Sequence, residues 1–300
     1  CGTALAAGGI DVCLLDKGRG PGGRMATRRA EIGGQAVSFD HGAQYFTARE
    51  PAFRAAVAAW EEQDAVGSWP AAGDDAWVGK PGMNGPIRVM ADSLNVRWGV
   101  RALSLVREET GWHVDAGDHS FAAKRVLIAV PAEQAAELLE EAAPDLAAIA
   151  SAVRSEPCWA VMVAFEKGLE IAPDSLRSAE APIAWAARNS AKPGRVGKEC
   201  WVLHASPTRS RELIDLPKEA AANVLLADFW EQTGAQPQKP SHLTAHRWLY
   251  AMPVAVKGNP ARYDAGNGVG IAGDYLHSPR VEGAFLSGKA LAALVMDQMV

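Results

Sequence analysis

The stretch IDVCLLDKGRGPGGRMATRR (Ile10–Arg29) constrains the fold of this chain more than any other. Val12, Leu14 and Leu15 form a short apolar run of the kind carried by a strand covered on both faces, and the run ends in an acid, Asp16. Ahead of it, ALAAGG reads as the last turns of a helix stopped at Gly8–Gly9. Helix, buried strand, terminal carboxylate and glycine-rich loop follow one another as in a βαβ unit, where the acid ending the second strand bonds ribose hydroxyls. Gly22–Gly23 lets backbone approach a ligand where a Cβ would clash, and Arg19 and Arg24 carry forked donors suited to phosphate oxygens. In such units a G-x-G-x-x-G loop stands about 20 residues before the acid. Counting back that far from Asp16 passes residue 1, so either this is not such a unit or its first strand and glycine loop are not in this sequence.

Charge limits what the arginines can serve. The 300 residues carry 35 acidic and 30 basic side chains, a net charge of −5, which argues against broad nucleic-acid binding and assigns the early basic cluster to a local ligand. The alanine-rich segments are all broken by charge before reaching the roughly 18 apolar residues of a membrane helix, so no membrane partner is expected. The four cysteines (Cys1, Cys13, Cys158, Cys200) are scattered without a CxxC or a histidine at ligand spacing. A reduced, cytoplasmic protein without a metal centre is the expectation.

Further along, AVSFD (Ala36–Asp40) reads as a strand, and AFRAAVAAWEEQ places Phe53, Ala56, Val57 and Trp60 on one helical face. A Gly/Pro-rich loop then leads into a helix with Pro86 near its first turn. From Val96 the period switches to two, and VRWGV, ALSLV, WHVDA and HSFAA read as a meander of short strands. RVLIAVP returns to a buried sheet, followed by a helix over PAEQAAELLEEAA. From about Ser151 to Arg262 lie the apolar strands CWAVMVAF and ECWVLHAS, the helix KEAAANVLLADFWEQTG and the loop NSAKPGRVGK. GVGIAGD then gives a strand of small residues, and VEGAFLSGKALAALVMDQMV a helix.

Three segments, in this order, resemble one family: DKGRGPGGRMATRR, FDHGAQYFT (Phe39–Thr47) and GVGIAGDYLHSPRVEGAFLSGKALA (Gly268–Ala292). The chain looks like the FAD-dependent amine-oxidase-like flavoproteins, with the closest match to the bacterial renalase-like branch. The resemblance implies an α/β fold with a Rossmann-like FAD-binding domain (residues 1–62, 95–150 and 262–300). This is interleaved with an α+β substrate domain on a mixed or antiparallel sheet (63–94 and 151–261). It implies an extended FAD, with the adenosine ribose on Asp16 and the pyrophosphate near Arg24 and Asp274. The flavin then lies between HGAQ and VEGA. Asp16, Lys17, Gly23, Arg24, Met25, Gly42, Ala43, Gln44, Val100, Asp274, Val281, Glu282, Gly283 and Ala284 are the cofactor-binding candidates. A hydride passes from substrate to flavin, oxygen reoxidises it, and hydrogen peroxide leaves. For the renalase-like branch the implied substrate is an isomeric dihydro-NAD(P).

The free N–H groups opening the last helix are an anion site. Small residues at Gly283 and Ala284 suit close approach of the flavin ring. Gln44, as an amide partner, and Tyr45, as a lining residue, are the catalytic-pocket candidates, with Trp185 and Trp248 stacking on a flat substrate or serving the core. His41 as a general base is weighed against a merely hydrogen-bonded histidine, since hydride loss from a dihydropyridine needs no base. Arg188, Asn189, Lys192 and Arg195 form a basic loop that meets substrate phosphates or is simply solvated. An amine, carotenoid or porphyrin oxidase on the same scaffold, and a non-catalytic flavin-binding module, are the alternatives.

Overall fold

The computed structural model describes residues 1–299. The chain opens with helix α1 (Gly2–Ala7), strand β1 (Cys13–Asp16), the hairpin β2 (Thr27–Ile32) and β3 (Gln35–Asp40), and β4 (Phe46–Thr47). Next come α2 (Pro51–Glu62), β5 (Val66–Ser68), β6 (Ala76–Gly79), α3 (Gly85–Asp92) and β7 (Asn95–Trp98). A meander β8 (Ser104–Glu108), β9 (Gly111–Asp115) and β10 (Ser120–Ala123) leads to β11 (Val126–Ile128), α4 (Ala132–Leu139) and α5 (Pro144–Ser151). The middle holds β12 (Ser155–Phe165), β13 (Ser175–Arg177), β14 (Ile183–Arg188), β15 (Glu199–Ala205), α6 (Pro207–Glu212), α7 (Lys218–Thr233) and β16 (His242–Pro253). The chain finishes with β17 (Ala261–Asp264), β18 (Val269–Ala272) and α8 (Val281–Met296).

Two parallel pairings carry the nucleotide-domain character. β1 runs parallel to β7, from Cys13 opposite Asn95 to Asp16 opposite Trp98, and β11 runs parallel to β18. The sequence reading placed Val96 at the head of the meander. The structure gives that segment to β1 and confines the meander to β8, β9 and β10. The helix expected over PAEQAAELLEEAA is there but stops at Leu139, and Pro144 just beyond the segment starts a further helix, α5, as suits a ring that presets φ for a first turn. The arginine-rich TRRAEI, to which the sequence reading assigns no strand, pairs as β2 with β3, with Ala30 and Ile32 turned inward while Arg28 and Arg29 stay exposed.

The larger sheet is antiparallel, in the order β13-β14-β15-β12-β16. β12 is buried on both faces. Val161, Val163 and Phe165 join Trp201, Leu203 and the α7 residues Leu225 and Phe229, while Met162 and Ala164 join Phe39, Cys200 and Val202 under the β2–β3 hairpin. A further core ties Met25, Phe46, Phe53, Trp60, Trp69 and Met83 to Trp185 and Ala187 of β14 and to Phe285 of α8. That core crosses the boundary expected at residue 62. All four cysteines are free thiols. Among the described residues no helix is long and apolar enough to cross a membrane.

Candidate active site

Strand ends set the site out. β1 delivers Asp16 at its carboxyl end, the side of an open α/β sheet where ligands bind. One carboxylate oxygen accepts the Gly18 N–H at 2.7 Å, and the Asp16 carbonyl accepts the Val100 N–H at 3.0 Å, which seats Val100 beside it. Lys17 turns away and donates to Gln134 Oε1 on α4 at 2.9 Å. The loop then needs glycine: at Gly22, with φ +146°, a Cβ would stand 2.8 Å from the Ala26 Cα, whereas Gly23 faces open space. Met25 drops into the core and Arg24 points out of it.

Arg24 meets the far end of the sequence. Its two terminal nitrogens donate to the two Asp274 oxygens at 2.9 and 2.6 Å, and Nη1 also donates to the Ala251 carbonyl at 3.1 Å. Asp274 follows β18, so Arg24 ties the loop after β1 to the turn after β18. The fork expected on a phosphate is occupied by a carboxylate, and Arg24 orients Asp274.

The segment after β3 is clamped to the same loop. Ala43 donates to the Arg24 carbonyl at 2.8 Å, and a Cβ on Gly42 would come within 1.9 Å of that oxygen. The Gln44 amide is committed to the protein. Its nitrogen donates to the Asp40 carbonyl and, at 3.1 Å, to the Gly42 carbonyl, while its oxygen accepts from Lys192 Nζ at 3.2 Å. Gln44 therefore fixes the segment's shape and has little capacity left for a ligand.

This segment lies across one face of the large sheet. Register puts Trp185 opposite His204, His204 opposite Ala160 and Ala160 opposite His246, so the four form one row on a single face. Gln44 Nε2 lies 3.3 Å from His204 Nε2, and the His41 ring lies 5.2 Å from both His246 and Trp248. The Trp248 indole donates to the His41 carbonyl at 2.7 Å. Tyr45 packs on Trp185 at 5.3 Å, and Arg177, opposite Trp185 in the β13–β14 register, holds its guanidinium over both rings at 5.6 and 5.1 Å while donating to the Tyr45 hydroxyl. Burial lowers both His41 and His204 to about 4, with His246 and Arg28 adding to the effect at His41 and Lys192 at His204. Both imidazoles are neutral at pH 7. A neutral, buried His41 whose Nδ1 has no partner is poorly placed to start as a charged acid.

The basic loop expected to be solvated is interior. Lys192 and Arg195 both donate to Asp40 Oδ2, at 3.2 and 2.5 Å, with side chains at most 1% exposed. Asn189 is buried, bonding the Asp40 N–H and the Ser38 carbonyl, and Arg188 pairs with Asp174 and Glu199. The reason is a counter-charge far away in sequence: Asp40 attracts both cations and is itself held down at about 2 despite its burial.

At the start of α8, the N-cap residue Arg280 gives no side-chain cap to the first-turn N–H groups. Val281 packs into the core and Ala284 is exposed. The Glu282 side chain turns away, its Oε1 accepting the Arg49 and Glu50 N–H groups at 2.7 and 2.8 Å just ahead of α2. Gly283 is required by the protein itself, since a Cβ there would stand 2.1 Å from the Ser278 carbonyl.

His204, His246, Arg177 and the burial of Lys192 escaped sequence reasoning. The one available signal was alternation along ECWVLHAS and HLTAHRW, which marks His204 and His246 as facing residues without saying what they face.

Comparison places this arrangement. The family described as flavin containing amine oxidoreductase matches residues 70–296, and an NAD(P)-binding Rossmann-like domain matches residues 1–60. Among solved structures, wild-type putrescine oxidase bound to putrescine is similar with a TM-score of 0.70 at 14% identity, over 99% of this chain and 96% of that one. Cyclohexylamine oxidase from Brevibacterium oxydans gives 0.58 at 12% identity, over 93% and 82%. A structure described as a protoporphyrinogen oxidase from Exiguobacterium sp. gives 0.59 at 15% identity, over 74% of this chain and 53% of that one, so this chain spans about half its length. At these identities the likeness is one of fold.

Proposed function

The chain belongs to the flavin containing amine oxidoreductase family, with FAD as cofactor, and from that premise we propose that it oxidises a reduced pyridine nucleotide. The residues present fit the cofactor: Asp16 keeps a carboxylate oxygen beyond its Gly18 bond, Gly23 faces open space, and the first turn of α8 lacks a side-chain cap. Asp16 would hold the ribose, the turn bearing Asp274 the pyrophosphate region, and the α8 N-terminus the electron-rich edge of the ring system. FAD supplies the two-electron, hydride-accepting chemistry and its reoxidation by oxygen.

The chain's own residues then bind, orient and exclude water. Tyr45, half-buried, packs on the buried Trp185, and the neutral His204 and His246 border the same row without contributing charge at pH 7. The observation that carries the reading is the cation lodged on the aromatic pair. Arg177 covers both rings and has no carboxylate within ion-pair distance among the described residues. An ammonium approaching these rings meets a guanidinium already over them. A phosphate-bearing dihydropyridine meets a favourable charge instead, beside the half-buried Tyr45 ring.

Amine oxidation is the competing reading, since putrescine oxidase and cyclohexylamine oxidase share the fold. Anaerobic mixing of the FAD-loaded protein with isomers of dihydro-NAD(P), and separately with primary amines, decides between them. Bleaching of the flavin absorbance by the nucleotides is expected; bleaching by amines alone overturns the proposal.

A further inference from the structure

Two cations share one carboxylate at the end of β3. Asp40 Oδ2 accepts from Arg195 at 2.5 Å and from Lys192 at 3.2 Å, while Oδ1 accepts from the Thr27 hydroxyl at 2.7 Å and the Met83 N–H at 2.9 Å. Arg195, which also donates to the Gly79 and Pro193 carbonyls, is sufficient to neutralise Asp40. Lys192 is surplus. Its ammonium is 0% exposed and has no second acid among the described residues; outside the ion pair it lies 3.2 Å from Gln44 Oε1 and 5.2 Å from the Trp69 ring centre. Burial pulls Lys192 down to about 8 against the support of Asp40, so it is still protonated at pH 7.

A sealed, unneutralised charge is among the most expensive groups a fold carries, and apolar replacement of buried ionic groups is commonly neutral or stabilising. Packing does not require this one, because Asp40 and Arg195 already join β3 to the loop. The field of the surplus charge falls on the residue it touches outside the ion pair, Gln44, and on the segment that Gln44 shapes. In a low-dielectric interior such a field reaches well past one side chain.

We propose that Lys192 is a positioning residue whose buried surplus charge, applied through Gln44 and the segment His41–Tyr45, biases the bound flavin toward its reduced, more negative state. This rests on the reading that the segment lies against the flavin ring. Removing the charge would then make flavin reduction harder without weakening the fold.

The test compares FAD-loaded wild type with Lys192→Met, Lys192→Gln and Lys192→Arg. The two-electron midpoint potential is measured by dye equilibration at pH 7, and thermal unfolding is measured on the flavin-stripped proteins. K192M and K192Q are expected to shift the reduction equilibrium at least tenfold toward the oxidised form, about 30 mV for two electrons. K192R should restore most of that, and flavin-stripped K192M should unfold no earlier than wild type. Flavin bound at an unchanged potential overturns the proposal and leaves the reading of the flavin site standing. Earlier unfolding with an unchanged potential, or failure of both neutral variants to fold, assigns Lys192 to structure and also overturns it. A wild-type chain that takes up no FAD overturns both.

Discussion

Arg24 and Asp274, 250 residues apart in the chain, close a two-armed ion pair in which each terminal guanidinium nitrogen meets one carboxylate oxygen. The arginine is 31% exposed and the aspartate 8%, so the pair lies between a surface bridge and a buried one. It holds the loop after β1 against the turn after β18, where the two parallel pairings point.

Arg24→Ala strands a nearly buried carboxylate. Breaking a fully buried pair costs about 3–5 kcal/mol and an exposed one about 1 or less, so a loss near 2 kcal/mol is expected here. Urea unfolding of the apoprotein reads it, and FAD retained through gel filtration should fall in parallel. Arg24→Lys should rescue little, because an ammonium cannot span both oxygens. Full stability in both variants would show that the pair does not hold the two loops together.

Gly42→Ala should be more damaging than its single methyl suggests. The added Cβ would stand 1.9 Å from the Arg24 carbonyl, backbone against backbone, and Ala43 already donates to that oxygen. A destabilisation of about 3 kcal/mol or more is expected, at the upper end of overpacking effects. Thermal unfolding checks it, and a wild-type melting temperature would show that the two loops separate freely.

Acid should weaken the protein in two windows. His41 and His204 are held at about 4 when folded, against 6.5 for the free side chain, so below pH 6.5 the unfolded chain takes up protons first. Their contribution is complete above that pH and is lost as pH falls toward 4. Asp40, held at about 2 against 3.8, adds a second loss as pH falls from 3.8 toward 2. Unfolding free energies measured from pH 7 to pH 4 should slope downward, and His204→Asn should flatten part of the slope; an identical slope would acquit His204.

Arg177→Glu places an acid on the Tyr45–Trp185 pair. If the substrate is a phosphate-bearing dihydropyridine, KM should rise about 10- to 100-fold, as for a charge reversal close to the ligand. The wild-type increase of KM with salt should flatten or invert. The change is expected mainly in KM, with kcat moving less. An unchanged KM and salt dependence would place the nucleotide elsewhere.

Local signals carried much of the frame. Asp16 closes its strand as its apolar run predicts, GVGIAGD carries the buried strand Val269–Ala272 with Asp274 two residues beyond it, and VEGAFLSG opens a helix. What stayed hidden depends on partners distant in sequence. Lys192 and Arg195 read as solvated because nothing near them announces Asp40, 152 and 155 residues away. His204 and His246 share a row with Trp185 only through the register of four strands, which no single strand encodes. Gly283 looked like room for a ligand, whereas the Ser278 carbonyl fills that space. β2 was missed because its arginines mask an alternation resting on two inward residues.

The side chains that pin the segment His41–Tyr45 arrive late during translation. Gln44 waits 148 residues for Lys192 and 160 for His204, and the His41 carbonyl waits 207 for the Trp248 indole. At roughly 5–20 residues per second, that is about 7 to 40 seconds during which the nascent β2–β3 hairpin and its following segment emerge without their partners. A ribosome-stalled chain ending before Lys192 would therefore lack both the β15 residues that cover the hairpin's apolar face and the side chains that shape the segment after it.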